Sequence, residues 1–125
     1  MAQDIISDCL NMIMNAKKAG KGYLEVSRYS KFLFKILDIA KKYNYIDYNL
    51  DERTKKLKIK ILKLNKCKAI KPRFYVTLDD IDKYIRRFLP SRNFGIIIIS
   101  TSSDLLTHKE AYEKNIGGGL IAYFY

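Results

Sequence analysis

Lys56-Leu57-Lys58-Ile59-Lys60-Ile61-Leu62-Lys63-Leu64 alternates charged and apolar side chains almost residue by residue. A period of two is that of a β-strand, whose successive side chains point to opposite faces. Leu57, Ile59 and Ile61 therefore share an apolar face, and Lys56, Lys58 and Lys60 a lysine face. The alternation slips at Ile61-Leu62, which predicts a bulge or a bend there. Just upstream, Asp51-Glu52-Arg53-Thr54 reads as a turn and Tyr45–Leu50 as a second strand. Two strands joined by a short polar turn predict a β-hairpin.

The flanks of this hairpin are helical. Ile6, Cys9, Leu10, Ile13 and Ala16 recur at three-and-four spacing and predict a helix over 4–19, with Asp4 as N-cap and Gly20 and Gly22 beyond its end. Tyr23–Arg28 reads as a short strand. A helix follows over about Ser30–Tyr43, burying Leu33, Ile36, Leu37 and Ala40. Downstream, Asn65–Arg73 reads as a connector. Thr77-Leu78-Asp79-Asp80 offers a cap for a helix reaching about Phe88, and Phe94–Ser100 is a buried strand. Thr107-His108-Lys109-Glu110 is a capping box for a short helix ending at Lys114, with Asn115 and Gly117 as its stop. Gly119–Tyr125 is the last strand. The expected fold is α+β in two small lobes: an N-terminal αβαββ lobe, residues 1–64, and a C-terminal αβαβ lobe with a mixed β-sheet, residues 65–125.

A chain of 125 residues that is 48% hydrophobic and 30% charged has globular composition. Its formal charge of +11 is unevenly spread. Residues 1–52 net +1, residues 53–73 carry 10 basic and no acidic side chains, and residues 74–125 net 0. So concentrated an excess points to a polyanion, either nucleic acid or an anionic membrane. A membrane surface would ask for a basic amphipathic helix, whereas this charge lies on a predicted strand, so no membrane partner is expected. Met1-Ala2-Gln3-Asp4 lacks the basic start and apolar run of a secretion signal. Cys9 and Cys67 make no zinc pattern with the single His108, and no metal or cofactor is expected. A Cys67–His108 enzyme is the remaining catalytic reading, and nothing in the spacing orients that pair.

Three features could bind a polyanion. Lys56, Lys58 and Lys60, continued by Lys66, Lys71 and Arg73, would neutralise phosphates and make binding salt-sensitive. Ser100-Thr101-Ser102-Ser103 puts hydroxyls at a strand end, where they can meet sugars, phosphates or base edges. They can equally cap their own loop. Gly117-Gly118-Gly119 precedes a strand rather than a helix, so it is no nucleotide P-loop. It permits a positive φ or a very close backbone approach, serving either as a structural turn or as a contact with RNA. Among the aromatics, Phe32, Phe34, Phe88 and Phe94 sit among aliphatics and read as core. Phe74, Tyr75, Tyr123 and Tyr125 could stack on bases, but fit core or inter-lobe packing better.

Three strings carry a resemblance. They are Leu64-Asn65-Lys66-Cys67-Lys68-Ala69-Ile70-Lys71-Pro72-Arg73-Phe74, the run from Phe88-Leu89-Pro90-Ser91-Arg92-Asn93-Phe94-Gly95 through Ser100-Thr101-Ser102, and the ending Gly118-Gly119-Leu120-Ile121-Ala122-Tyr123-Phe124-Tyr125. Together, in order and spacing, they closely resemble the universal small-subunit ribosomal protein eight family, in its archaeal and eukaryotic cytosolic branch. The resemblance implies a non-enzymatic constituent of the cytosolic small subunit. Such a protein binds the central domain of small-subunit rRNA, supports assembly and translation, and has neighbouring ribosomal proteins but no small-molecule substrate. It implies RNA contacts at Ser100, Thr101 and Ser102, at Gly118 and Gly119, and in the first lobe at Asp4 and Lys31. The alternative is another cytosolic RNA-binding protein or regulator using the same surface. The chain departs from the family pattern at Ile5, usually Pro, and at Lys68 and Asp104, usually Gly. A glycine of positive φ at position 68 would leave Lys68 strained.

Overall fold

In the computed structural model, which describes residues 5–71, 75–91, 93–102 and 104–125, the alternating lysine segment is a central strand. The first sheet runs β1 (Tyr23–Val26), β3 (Lys56–Ile61), β2 (Ile46–Asp51), all antiparallel. Leu57 and Ile59 are buried, and Lys56, Lys58 and Lys60 are exposed, as a period of two requires. The slip at Ile61-Leu62 is met by a bend, at Lys63, just past the end of the ladder rather than by a bulge inside it. The strand ends at Ile61, and its pairing with β2 is continuous from Ile46↔Ile61 to Asp51↔Lys56. Asp51 shapes the connecting turn by accepting the Arg53 N–H at 2.9 Å. Lys55 completes the turn with φ 57°, a left-handed conformation unusual for a residue with a Cβ.

Two helices supply the apolar cover of this unit. Helix α1 (Ile5–Lys18) buries Ile6, Cys9, Leu10, Ile13 and Ala16, the expected stripe. Its N-cap, expected at Asp4, lies outside the described residues. Helix α2 (Lys31–Lys42) starts at Ser30, whose hydroxyl accepts the Leu33 N–H at 3.2 Å. It buries Leu33, Ile36, Leu37 and Ala40. Each fully buried large aliphatic side chain contributes about 1.5–3 kcal/mol, so this stripe is what holds a 12-residue helix that water alone would leave marginal. These elements form one compact unit, Met1–Cys67; Lys68–Tyr125 form the second.

The second sheet has order β4 (Cys67–Ala69), β8 (Gly118–Phe124), β6 (Ile96–Ser100), β7 (Leu105–Thr107), with β5 (Tyr75–Val76) also on β8. The pairings β5–β8, β6–β7 and β6–β8 are antiparallel. Asn65–Arg73 is thus not only a connector, because three of its residues form β4. Lys68 is one of them and is not among the described residues of positive φ. The replaced glycine therefore leaves no strain here.

Helix α3 (Ile81–Phe88) packs Ile81, Ile85 and Leu89 against Ile97, Ile99, Leu120 and Tyr123 of the sheet. A bulge on β8, between the pairs Ile98↔Ala122 and Ile99↔Leu120, inserts Ile121. That extra residue shifts the alternation, so Leu120 and Tyr123 face the same core despite their odd spacing. The cap expected at Thr77 takes another form. A single 3₁₀ turn, Leu78–Asp80, precedes α3, and the Thr77 hydroxyl donates to the Asp80 carboxylate at 3.0 Å instead of capping backbone. At α4 (His108–Lys114) the capping box forms as expected: Thr107 Oγ1 accepts the Glu110 N–H at 3.3 Å, and Glu110 Oε1 accepts the Thr107 N–H at 3.5 Å. Asn115 ends that helix in the left-handed region.

Candidate nucleic-acid interface

The end of β6 brings the hydroxyl loop and the glycine turn together. Ser100 pairs with Leu105 of β7 on one side and with Gly119 of β8 on the other, and Gly119 pairs with Tyr75 of β5. Directly paired residues share a face, so Ser100, Gly119 and Tyr75 lie in one row across three strands. Ser100 alternates with Ile99, which faces the α3 core, so the row is on the opposite face. Strands lie about 4.8 Å apart, which puts Ser100 and Tyr75 roughly 10 Å apart across a residue with no side chain. The result is a notch walled by a hydroxyl and by a phenol ring. Tyr75 is 80% exposed. It is not the core residue its sequence context suggests; it alternates with Val76, which is buried on the other face.

The loop beyond Ser100 is closed by its own groups. Thr101 donates its hydroxyl to the Asp104 carbonyl at 2.7 Å and accepts the Asp104 N–H at 3.1 Å, while the Thr101 N–H donates to the same carbonyl at 3.0 Å. The Asp104 carboxylate accepts the Leu105 N–H at 2.7 Å. Thr101 therefore shapes the loop, and Ser102 stands exposed at its tip.

Of the glycines, Gly118 and Gly117 serve close packing. A Cβ on Gly118 would fall on the Ser100 carbonyl oxygen and within 2.9 Å of Ile99 Cγ2. A Cβ on Gly117 would fall on the Val76 carbonyl and within 3.1 Å of Thr77 Cα. Neither is among the described glycines of positive φ, which are Gly20 and Gly95. Close approach, rather than turn conformation, is what requires glycine at both.

The lysine face differs from its sequence reading. Ten bases without an acid describe the chain order, but the neighbours in space come from other strands. Across the ladder Lys60 meets Asp47, Lys58 meets Glu25, and Lys56 meets Asp51. Lys56 Nζ lies 3.9 Å from Glu25, and Lys58 Nζ lies 3.9 Å from Asp51. A hydrogen bond from Lys41, then one from the Tyr48 N–H, hold the Asp47 carboxyl below its usual range. The Arg53 N–H does the same for Asp51. The outer face of the first sheet thus sets three lysines opposite three carboxylates, with Lys41 also on Asp47.

The other basic candidates are dispersed. Lys31 is exposed and opens α2, where no acidic residue in the first turn offsets the helix dipole. Lys66 is exposed in the first unit and Lys71 in the second. Asp4 and Arg73 lie outside the described residues.

Cys67 and His108, the residues of the catalytic reading, are both engaged in packing. Cys67 Sγ donates to the Leu10 carbonyl at 3.7 Å, its N–H donates to Met14 Sδ at 3.4 Å, and burial pushes its thiol up to about 12. His108 is buried, with Nδ1 accepting the Ile97 N–H at 3.2 Å. Among the described residues no cluster of three or more His, Cys, Asp or Glu could hold a metal. Nor, among the described residues, is any helix long and apolar enough to cross a membrane.

Two small α+β units, the second bearing a hydroxyl loop beside a glycine turn, define a two-lobed α+β class of protein. Comparison with known proteins narrows that class to one family. The sequence pattern of Ribosomal protein S8 matches residues 4–125. Small ribosomal subunit protein uS8A of Schizosaccharomyces pombe is 39% identical over 127 residues, covering 98% of each chain. Small ribosomal subunit protein uS8A of Saccharomyces cerevisiae is 37% identical over 125 residues, covering 97% of this chain and 96% of the relative. Small ribosomal subunit protein uS8 of Eremothecium gossypii is 36% identical over the same length and shares. The chain belongs to the ribosomal protein S8 family.

Proposed function

We propose that this protein is a non-enzymatic constituent of the small subunit of the cytosolic ribosome that binds the central domain of small-subunit rRNA and supports assembly and translation. Membership of the family supports the particle. The notch Ser100–Gly119–Tyr75 supports the mode of binding and is the observation that carries it. A hydroxyl and a phenol facing each other across a bare glycine can take the edge of an irregular stem, hydrogen-bonding from one wall and stacking from the other. Ser102 extends the hydroxyl wall to the loop tip. In the first lobe, Lys31 and Asp4 are the proposed contacts at the two helix starts. Lys66, Lys71 and Arg73 add phosphate contacts. Lys56, Lys58 and Lys60, matched by carboxylates, add less than their number suggests. Neighbouring small-subunit proteins complete the partners.

The experiment is binding of the full chain to the cognate rRNA stem and to an unrelated duplex. Ser102→Ala and Tyr75→Leu are expected to weaken the cognate stem about tenfold and the unrelated duplex less than about twofold, with unfolding midpoints unchanged. Each base–aromatic stack is worth about 1–3 kcal/mol, which sets that scale. Equal loss on both RNAs would reject the notch as the reading site.

A further inference from the structure

Phe94 was expected in the core, and it is 48% exposed. It stands at the end of a continuous series of rings within the second unit. Tyr84 stacks with Phe88 at 6.2 Å between centroids, Phe88 with Tyr123 at 5.2 Å, and Tyr123 with Tyr125 at 6.2 Å. Phe94 meets Tyr125 at 6.2 Å with its plane tilted by 55°. Two devices assemble this series. The β8 bulge turns Tyr123 toward α3. Gly95, at φ +99°, lets the Phe94 loop lie against the strand end, where a Cβ would come within 2.7 Å of both the Phe124 carbonyl and Tyr125 Cβ. A glycine of that geometry holds an aromatic ring outside the core it could have entered.

The stretch of sequence that carries Tyr84, Phe88 and Phe94 is rich in cations. From Lys83 to Phe94 the sequence holds four basic residues and no acidic one. The balance of zero over residues 74–125 conceals this, because its six acids fall outside that stretch, Asp82 directly before it. Lys83 Nζ is 6.0 Å from the Tyr84 ring centre, and Arg87 Cζ is 5.5 Å from that of Phe88. Asp82, at the start of α3, pairs with Arg86 at 3.6 Å.

We propose that this series of rings, from Phe94 and Tyr125 at one end to Phe88 and Tyr84 with Arg87 and Lys83 at the other, is a second RNA contact that stacks on unpaired bases. It rests on the RNA-binding reading above for its class of partner, and it is a different place from the notch. Ile96 pairs with Phe124 and Ser100 with Gly119, so the two sites lie at opposite ends of the β6–β8 pair, roughly 13 Å apart along the strand. Interleaved rings and cations are the pattern of single-strand platforms, in which the rings stack on bases and the cations follow the phosphates. A protein partner would be served as well by the aromatics; Lys83 and Arg87, seated on the ring faces, favour a polyanion.

The test uses the full chain with two probes, the oligonucleotide U10 and the cognate stem. Phe94→Leu keeps apolar bulk and removes the ring; Arg87→Gln keeps length and removes the charge. Each is expected to weaken U10 by about 5- to 50-fold while changing stem affinity less than about twofold, at an unchanged unfolding midpoint. In the unsubstituted chain, crosslinks from 4-thiouridine in U10 are expected at Phe94 or Tyr125. The proposal is overturned if folded Phe94→Leu binds U10 as the parent does, or if the parent binds the stem and not U10. It is equally overturned if Phe94→Leu spares both affinities but blocks incorporation into subunits, which would make this face a protein contact. If the parent binds neither probe, the RNA-binding reading itself fails with it.

Discussion

Thr101 and Asp104 grip each other across the hydroxyl loop: the Thr101 hydroxyl donates to the Asp104 carbonyl at 2.7 Å and accepts the Asp104 N–H at 3.1 Å. One side chain thus holds both backbone groups of the residue that stands where the family usually has glycine. Thr101→Val preserves shape and deletes both bonds. A net hydrogen bond contributes about 1 kcal/mol, so stability should fall by about 1–2 kcal/mol, and affinity for the cognate stem should fall about as far as with Ser102→Ala. Ser102→Ala should leave the unfolding midpoint alone. Parallel thermal melts and filter binding separate the two roles. Full affinity in Thr101→Val would mean that the shape of the loop is not what RNA reads.

Gly118 is a packing residue before it is anything else. A methyl group there meets the Ser100 carbonyl and Ile99 Cγ2, and the paired strands β6 and β8 would have to part. Overpacking a tight site costs about 1–3 kcal/mol. Urea unfolding of Gly118→Ala should show a loss in the upper part of that range, with any loss of RNA affinity following the loss of folded protein. An unchanged urea midpoint would return Gly118 to the list of direct contacts.

Much of this fold was legible because long elements carry a period. The stripes of α1 and α2, the alternation of β3 and the Thr107–Glu110 box all read directly from spacing. Strands β4, β5 and β7 did not, since two or three residues are too few to show a period of two. The hydroxyl loop and the glycines were visible as a site, but their division of labour was not. That Thr101 holds Asp104 depends on how the loop closes on itself, and that Gly117 and Gly118 admit backbone depends on Val76 and Ser100, which belong to other strands. The charge count failed for the same reason: Glu25 and Asp47 are remote from Lys58 and Lys60 in sequence and opposite them in the ladder. Phe94 misread as core because Gly95 redirects the chain beside it.

The compensated lysine face gives a salt-dependence prediction. Each phosphate contact contributes about 0.7–0.9 to the slope of log affinity against log salt. Lys66→Gln with Lys71→Gln should lower the slope for the cognate stem by about 1.5. Lys58→Gln with Lys60→Gln should lower it by less than half of that, because these ammonium groups already face Glu25, Asp51 and Asp47. Titration from 50 to 300 mM KCl is the measurement. A larger effect from the strand pair would return the first sheet to the RNA surface.

The two cysteines predict an alkaline limit to stability. Burial pushes the Cys9 thiol up to about 12; burial, and then the neighbouring Cys9, push Cys67 to about 12. In the unfolded chain both ionise near about 8.5. The folded state therefore holds its thiol protons through a range in which the unfolded state has released them. The stability this represents is complete below about pH 8.5 and is lost progressively as pH rises toward 12. Tyr48, raised to about 12 by burial and by its hydrogen bond to Asp38, adds to the loss only above the usual tyrosine range. The urea midpoint should stay level from pH 7 to 8.5 and decline from pH 9 upward. Cys9→Ala with Cys67→Ala should start lower, through lost packing, and decline less steeply between pH 9 and 10. At pH 8 a disulfide reagent should find no reactive thiol in the native chain and two after denaturation. Rapid reaction of either thiol in the native protein would show that α1 opens around Cys9, and the alkaline slope would then be too small to detect.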